Sequence, residues 1–252
     1  DTSGLLAQEI LAHELQHLIH WRHDPNESLW INEGCSEYSA LFLCGYGKVI
    51  PSWHLEAFER RPQTSLVYWP MGTTSSMANY GAVYLLIVYL HERFGGVSII
   101  SSLISEPANG INGINAVLSS KGYTERFGDV FADWKVANYL DDTSYASGRY
   151  GYKSLNVKIR PDIVHSSFPV LNQQRNIESW SADYIEITSG SNVATLQVDF
   201  SARNPRHNFD VRVIKLKDNL PVDVDYMRNG SLSIPKFGYD VDKVIIVPNW
   251  CP

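Results

Sequence analysis

Nowhere in its 252 residues does this chain carry an apolar run near the roughly 18 residues that span a bilayer. The closest, GAVYLLIVYL from Gly81, is too short and is followed at once by HERFGG, so no transmembrane segment is expected. Cysteine is scarce. Cys35, Cys44 and Cys251 form an odd set without a CxxC pair, which argues against a cysteine-held zinc site and against a dense disulfide framework. On one helix Cys35 and Cys44 would stand about 13 Å apart, at about 1.5 Å per residue, too far to bridge, and the two read as core residues.

Positive charge is also in deficit: 21 Lys and Arg face 27 Asp and Glu, a net charge of -6. That balance argues against nucleic acid or an anionic membrane as the main partner. No DxDxDG run suggests a calcium loop, and no internal repeat is visible. What is present, 44% hydrophobic and 19% charged residues, describes a globular protein long enough for one large domain or two ordinary ones. Asp1 is no initiator methionine and no signal peptide precedes it, so the expectation is an internal fragment, with an upstream segment of the same precursor as a possible partner.

Residues 1 to about 140 read as helical. Leu6, Ile10, Leu11 and Leu18 recur near helical spacing up to Trp21. Pro25 forces a break at Asp24, and DPNE restarts a helix with Asp24 as N-cap, Pro25 at the first position and Glu27 three residues after the cap. Further helices are expected in NYGAVYLLIVYLHERF, GVSIISSLIS and ERFGDVFADWKVANYL, where Phe127, Val130, Phe131, Trp134 and Ala137 mark one face. From about Tyr152 the texture changes to short β-branched runs, ADYIEIT, ATLQVDFS, FDVRVIKL and KVIIVPN, divided by Gly, Asn, Pro and Asp clusters. The expected architecture is α+β: a helical domain over 1–150, then a small antiparallel β-sandwich over 151–252.

ILAHELQHLIHWRHDPNESLWINEGCSEY, residues 10–38, concentrates the chemistry. His13, Glu14 and His17 form HExxH, which on a helix projects both imidazoles from one face toward one zinc ion, with Glu14 beside them to hold an attacking water. A catalytic zinc site usually adds a third protein ligand and keeps a fourth position for water. If the chain turns at Asp24 and Pro25, His17 and Glu33 both stand roughly 10 Å from the turn, on helices running back past each other. Gly34 would let the second helix approach closely. Glu37 falls one turn after Glu33 and could accept the outer N–H of a liganding histidine. A solvated acidic face is the bland alternative for that pair, although like charges at this spacing repel. His23 is the rival third ligand, since His13, His17 and His23 match the outer spacing of HExxHxxGxxH, but His20 stands where that pattern has its turn glycine. His20 and His23 otherwise read as helix-end residues whose imidazolium suits the dipole.

HExxH followed by NExxxE resembles the gluzincin zinc metallopeptidases, and WINEG resembles the matching stretch of the zinc aminopeptidases within them. The loop between His17 and Glu33 is shorter than in either group. HELQHLIHW, NEGCSEYSA and NYGAVYLLIVYLHERFGG resemble in texture the secreted bacterial peptidases of the hyicolysin type. The resemblance implies a zinc-dependent peptidase, secreted, that acts on protein or peptide substrates, with His13, His17 and Glu33 as ligands and Glu14 as general base. It also implies a tyrosine that polarises the scissile carbonyl, for which Tyr80 fits best and Tyr84 is the alternative. Packing against the core is the bland reading of either tyrosine, and His91 reads as a surface residue.

The same families carry a β-sheet ahead of the HExxH helix, so weak or absent activity is the expectation for residues 1–252 alone. The competing expectation, from another class, is a catalytically incomplete peptidase scaffold that serves as a binding or adhesive module through its β-rich half.

Overall fold

The computed structural model describes residues 2–45, 52–70, 72–171, 173–189, 195–227 and 230–252. Its class is α+β. Helices α1 (Thr2–His23), α2 (Leu29–Glu37), α3 (Trp53–Arg60), α4 (Thr73–Arg93), α5 (Val97–Ile104), α6 (Gly110–Ser120) and α7 (Phe127–Leu140) precede strands β1 (Ile163–His165), β2 (Ile185–Thr188), β3 (Thr195–Phe200), β4 (Phe209–Lys217), β5 (Leu220–Met227), β6 (Gly230–Pro235) and β7 (Lys243–Trp250). No helix among the described residues is long and apolar enough to cross a membrane.

The chain divides into two compact units. The first takes Asp1–Arg61, Trp69–Val130 and Tyr152–Ser154; the second takes Pro62–Tyr68, Phe131–Gly151 and Leu155–Pro252. The division thus falls inside α7 and is not the contiguous one expected at 150/151. In the first unit α4 packs against α2, α3 and α5, and every residue from Ala82 to Leu90 is buried. The longest apolar run of the sequence is therefore a core helix, apolar on all sides because it is covered on all sides.

Helix α1 forms where the spacing predicted it, but its apolar residues are the exposed ones. Leu6, Ile10, Leu11, Leu15, Leu18, Ile19 and Trp21 are all exposed, whereas Gln16 and His20 are buried and Glu9, His13 and His17 half-buried. The side of α1 turned toward α2 is its polar side. The restart after Pro25 also differs from the expectation. Helix α2 begins at Leu29 behind Ser28, and the Glu27 carboxylate, instead of closing a capping box, accepts from the amides of Ser28 and, at 2.7 Å, Gly110. A contact with the start of α6 replaces the local one. After Glu37 the helix widens into a π-helical stretch, Tyr38–Leu43, in which the Cys44 amide donates to the Ser39 carbonyl at 3.1 Å, five residues back. Cys35 is buried as expected, but Cys44 beyond that stretch is exposed.

In the second unit five strands run in the order β1-β2-β7-β4-β5, and β3 pairs with β6 in a separate antiparallel ladder. The larger sheet is mixed, not antiparallel throughout, because β1 lies parallel to β2. Ile187, Leu196, Val198, Val211, Val213, Ile234, Val244 and Ile246 gather residues of both sheets in one apolar cluster, which is the logic of a sandwich.

Candidate metal centre

Helices α1 and α2 meet along their polar sides, and the meeting brings three sequence-distant donors together. His13 Nε2 and His17 Nε2 lie 3.1 Å apart, and Glu33 Oε2 stands 3.4 Å from the first and 3.6 Å from the second. Donor atoms of a tetrahedral zinc site, with bonds of about 2.0–2.1 Å, are separated by about 3.3–3.4 Å, so the triangle has the size such an ion requires. Among the described residues this is the one group of three or more His, Cys, Asp or Glu side chains close enough to hold a metal. His23, exposed at the end of α1, is outside it.

The outer atoms of the histidines are held as well. His13 Nδ1 lies 3.2 Å from Glu37 Oε1, as the sequence suggested. His17 Nδ1 meets the side-chain oxygen of Asn32, with Ser36 Oγ 3.0 Å away. A carboxylate and an amide oxygen only accept, so both Nδ1 atoms carry their protons and both Nε2 lone pairs converge with the carboxylate oxygen. Three electron-rich atoms so placed repel unless a cation sits among them. Glu33 Oε2 is buried, and its nearest polar neighbours are the two Nε2 atoms at 3.4 and 3.6 Å, so a proton or a cation between them is what would satisfy it.

In the metal-free chain a proton serves that need. Burial opposes protonation of His13, but its hydrogen bonds to Glu33 and Glu37 and their charges prevail, raising its pKa from 6.5 to about 9. Burial likewise pushes the Glu37 carboxyl up, yet hydrogen bonds from His13 and His54 hold it below its ordinary value. His20 behaves oppositely to the helix-end imidazolium expected of it. Fully buried, with the Gln16 amide at 3.4 Å from Nδ1, it is pushed down to about 4, because desolvation outweighs the favourable charge of Asp24.

Glu14 is exposed on α1, beside the His13, His17 and Glu33 group but not part of it. Tyr80 is half-buried on α4; burial, then the charges of Glu33, Glu37 and Glu14, push its hydroxyl up to about 12. Tyr84 is buried, with Glu37, Glu92 and Tyr38 as its electrostatic neighbours, which leaves Tyr80 as the tyrosine open to a ligand. His91 Nδ1 shares a 2.8 Å hydrogen bond with the Tyr38 hydroxyl and the residue is half-buried, not a free surface residue.

Two residues went unread in the sequence. Asn32 is visible in hindsight as the residue before Glu33. His54 had no local signal at all: it enters from the first turn of α3, with Nδ1 2.9 Å from Glu37 Oε2.

Glycines set these approaches. A Cβ at Gly34 would stand 2.9 Å from Ile87 and 3.2 Å from Val83, so the close approach it permits is to α4, not to α1. A Cβ at Gly81 would stand 2.0 Å from the His54 carbonyl oxygen, which is backbone and cannot turn aside. Gly81→Ala is therefore expected to force α3 from α4 and cost about 3 kcal/mol or more, a fall in melting temperature of roughly 6–12 °C. A thermal scan showing no change would mean that the two helices are not in this contact. The chain matches no protein-family model and no curated protein sequence, so its reading rests on the geometry of this centre.

Proposed function

We propose that this chain carries the zinc-binding centre of a metallopeptidase that hydrolyses peptide bonds in protein or peptide substrates. One observation carries the reading: two imidazole nitrogens and one carboxylate oxygen form a triangle of 3.1, 3.4 and 3.6 Å, a donor set suited to zinc. His13, His17 and Glu33 would hold the ion. When bound, zinc would supply Lewis acidity, making a water molecule easier to deprotonate and a carbonyl easier to attack.

The rest of the chemistry belongs to side chains. The exposed Glu14 carboxylate takes the proton of the attacking water and returns it to the leaving amine. Tyr80, protonated throughout the neutral range because its pKa is near 12, donates its hydroxyl hydrogen to the oxygen on which negative charge develops. Glu37 and Asn32 hold the two histidines with Nε2 turned inward. Exposed apolar residues, Leu11, Leu15 and Leu18 among them, surround Glu14 on α1.

The test is zinc itself. Crystals grown without chelator and soaked in zinc should give an anomalous peak about 2.0–2.2 Å from His13 Nε2, His17 Nε2 and Glu33 Oε2. A peak on His23 in place of Glu33 would contradict the ligand set, and no peak would remove the reading.

The pH dependence of binding follows from His13. Its proton, retained in the metal-free chain up to about pH 9, must leave before Nε2 can bind a metal. Zinc affinity is expected to rise about tenfold per pH unit between pH 7 and pH 9 and then to level off. The metal-free chain should show the reverse trend. His13 is raised from 6.5 to about 9, so the stability it lends is complete below pH 6.5 and is lost as pH rises through 9. Calorimetric zinc titrations at half-unit steps check the first trend; a flat profile would mean that His13 binds no competing proton.

A further inference from the structure

We propose that His54 is a positioning residue that couples the His13 side of the metal centre to Tyr80. The assignment of a role to Tyr80 rests on the metallopeptidase reading; the contacts of His54 do not.

Glu37 presents two oxygens inside the fold, and each has one imidazole donor. Oε1 takes His13 Nδ1 at 3.2 Å and Oε2 takes His54 Nδ1 at 2.9 Å. A carboxylate this buried needs a partner on each oxygen. With His13 alone it would be free to rotate about its last bond, and His13 would lose a fixed acceptor. His54 locks the carboxylate from the far side, so the orientation of the His13 ring is set by a residue that never touches the metal position.

The other face of His54 is occupied by Tyr80. The two rings stack with centroids 4.8 Å apart and planes 20° from parallel, and Trp69 closes on Tyr80 edge-on at 5.0 Å and 78°. The backbone repeats the constraint: Gly81, the next residue after Tyr80, lies against the His54 carbonyl so closely that a Cβ would meet it at 2.0 Å. Ring and backbone contacts together hold Tyr80 in one place relative to Glu37. The charged groups near His54 are Glu37 from α2 and Glu9 from α1, and Glu9 is near enough to His54 and His13 to feel the charge of both.

A single side chain thus makes two separable contacts, and two substitutions divide them. His54→Phe keeps the ring stacked on Tyr80 but removes the donor to Glu37. His54→Asn keeps an amide donor near the position of Nδ1 but removes the ring. In His54→Phe the zinc dissociation constant should rise about tenfold, the low end of what losing an outer partner costs. The Tyr80 ring resonances in a ¹³C-labelled sample should stay in place. In His54→Asn the zinc constant should remain within about twofold of wild type while the Tyr80 resonances move. A residue that merely filled space would give both variants the same response, scaled only to their loss of melting temperature.

Equal zinc affinity in wild type and His54→Phe, or unmoved Tyr80 signals in His54→Asn, would overturn the inference while leaving the metallopeptidase reading intact. A wild type that binds no zinc would overturn that reading and the coupling with it. If one variant fails to fold, the other still decides, since each tests one contact against the same wild type.

Discussion

Glu14→Gln is expected to lower the rate of peptide hydrolysis by about 10³-fold, within the range that a positioned general base supplies, while zinc still binds at full stoichiometry. The two halves of that outcome come from different features of α1. Glu14 lies outside the donor triangle, which His13, His17 and Glu33 complete without it. Its replacement by an isosteric amide leaves a surface side chain of the same size in place, so neither helix geometry nor ligand spacing changes. What the amide cannot do is accept a proton from water. The comparison is a ratio between two proteins at equal zinc loading. Hydrolysis in the variant within tenfold of wild type, at equal zinc loading, would remove Glu14 from the chemistry.

A second signature should accompany it. The Glu14 charge contributes, after burial and after Glu33 and Glu37, to holding the Tyr80 hydroxyl near 12. Neutralising it should move the Tyr80 titration downward by a small amount, readable by absorbance or NMR. Loss of activity with an unmoved tyrosine would place Glu14 farther from Tyr80 than the structure does.

What could be read ahead from the residues followed periodicity and spacing. Four-residue steps put His13 with His17 and Glu33 with Glu37, and a proline-induced turn brought the two pairs face to face, so the meeting of His13, His17 and Glu33, with Glu37 behind them, was legible. The α+β division was legible from the change of texture near Tyr152: β2 and β3 fall within two of the β-branched runs, and β4 and β7 match the other two to within one residue. Strand β1 has only three residues, too few for any pattern, and β6 is a serine-rich GSLSIP in which Ile234 alone is buried.

His54 could not be found because its partnership with Glu37 depends on how α3 is pressed onto α4 at Gly81, a tertiary contact with no trace in local spacing. The inward side of α1 was not legible for a related reason. Apolar residues surround most of that helix, and periodicity alone does not say that its few polar residues are the ones turned inward.

Glu33→Gln should have the largest effect on metal binding of any single substitution here, and a graded series shows why. Loss of a partner that only orients a ligand costs about 10–100-fold in affinity. Glu37→Gln belongs in that range, because His13 would keep a partner oxygen but lose the full negative charge opposite its Nδ1. His54→Phe, one contact farther out, sits at its low edge. In the proposed site Glu33 itself would supply one of the three donors, its Oε2 facing both imidazole nitrogens, so its amide replacement should weaken zinc binding by more than 100-fold, beyond the range set by outer partners.

His23→Ala should leave affinity unchanged, since His23 is exposed and outside the triangle. The order Glu33, then Glu37, then His54, then His23 is a statement about distance from one point in space, and competition with a zinc-sensitive dye would measure all four on the same scale. If Glu33→Gln bound as tightly as Glu37→Gln, the third donor would have to come from elsewhere. The buried oxygen of Glu33 would then need a different cation, one that the spacing of the two imidazoles does not predict.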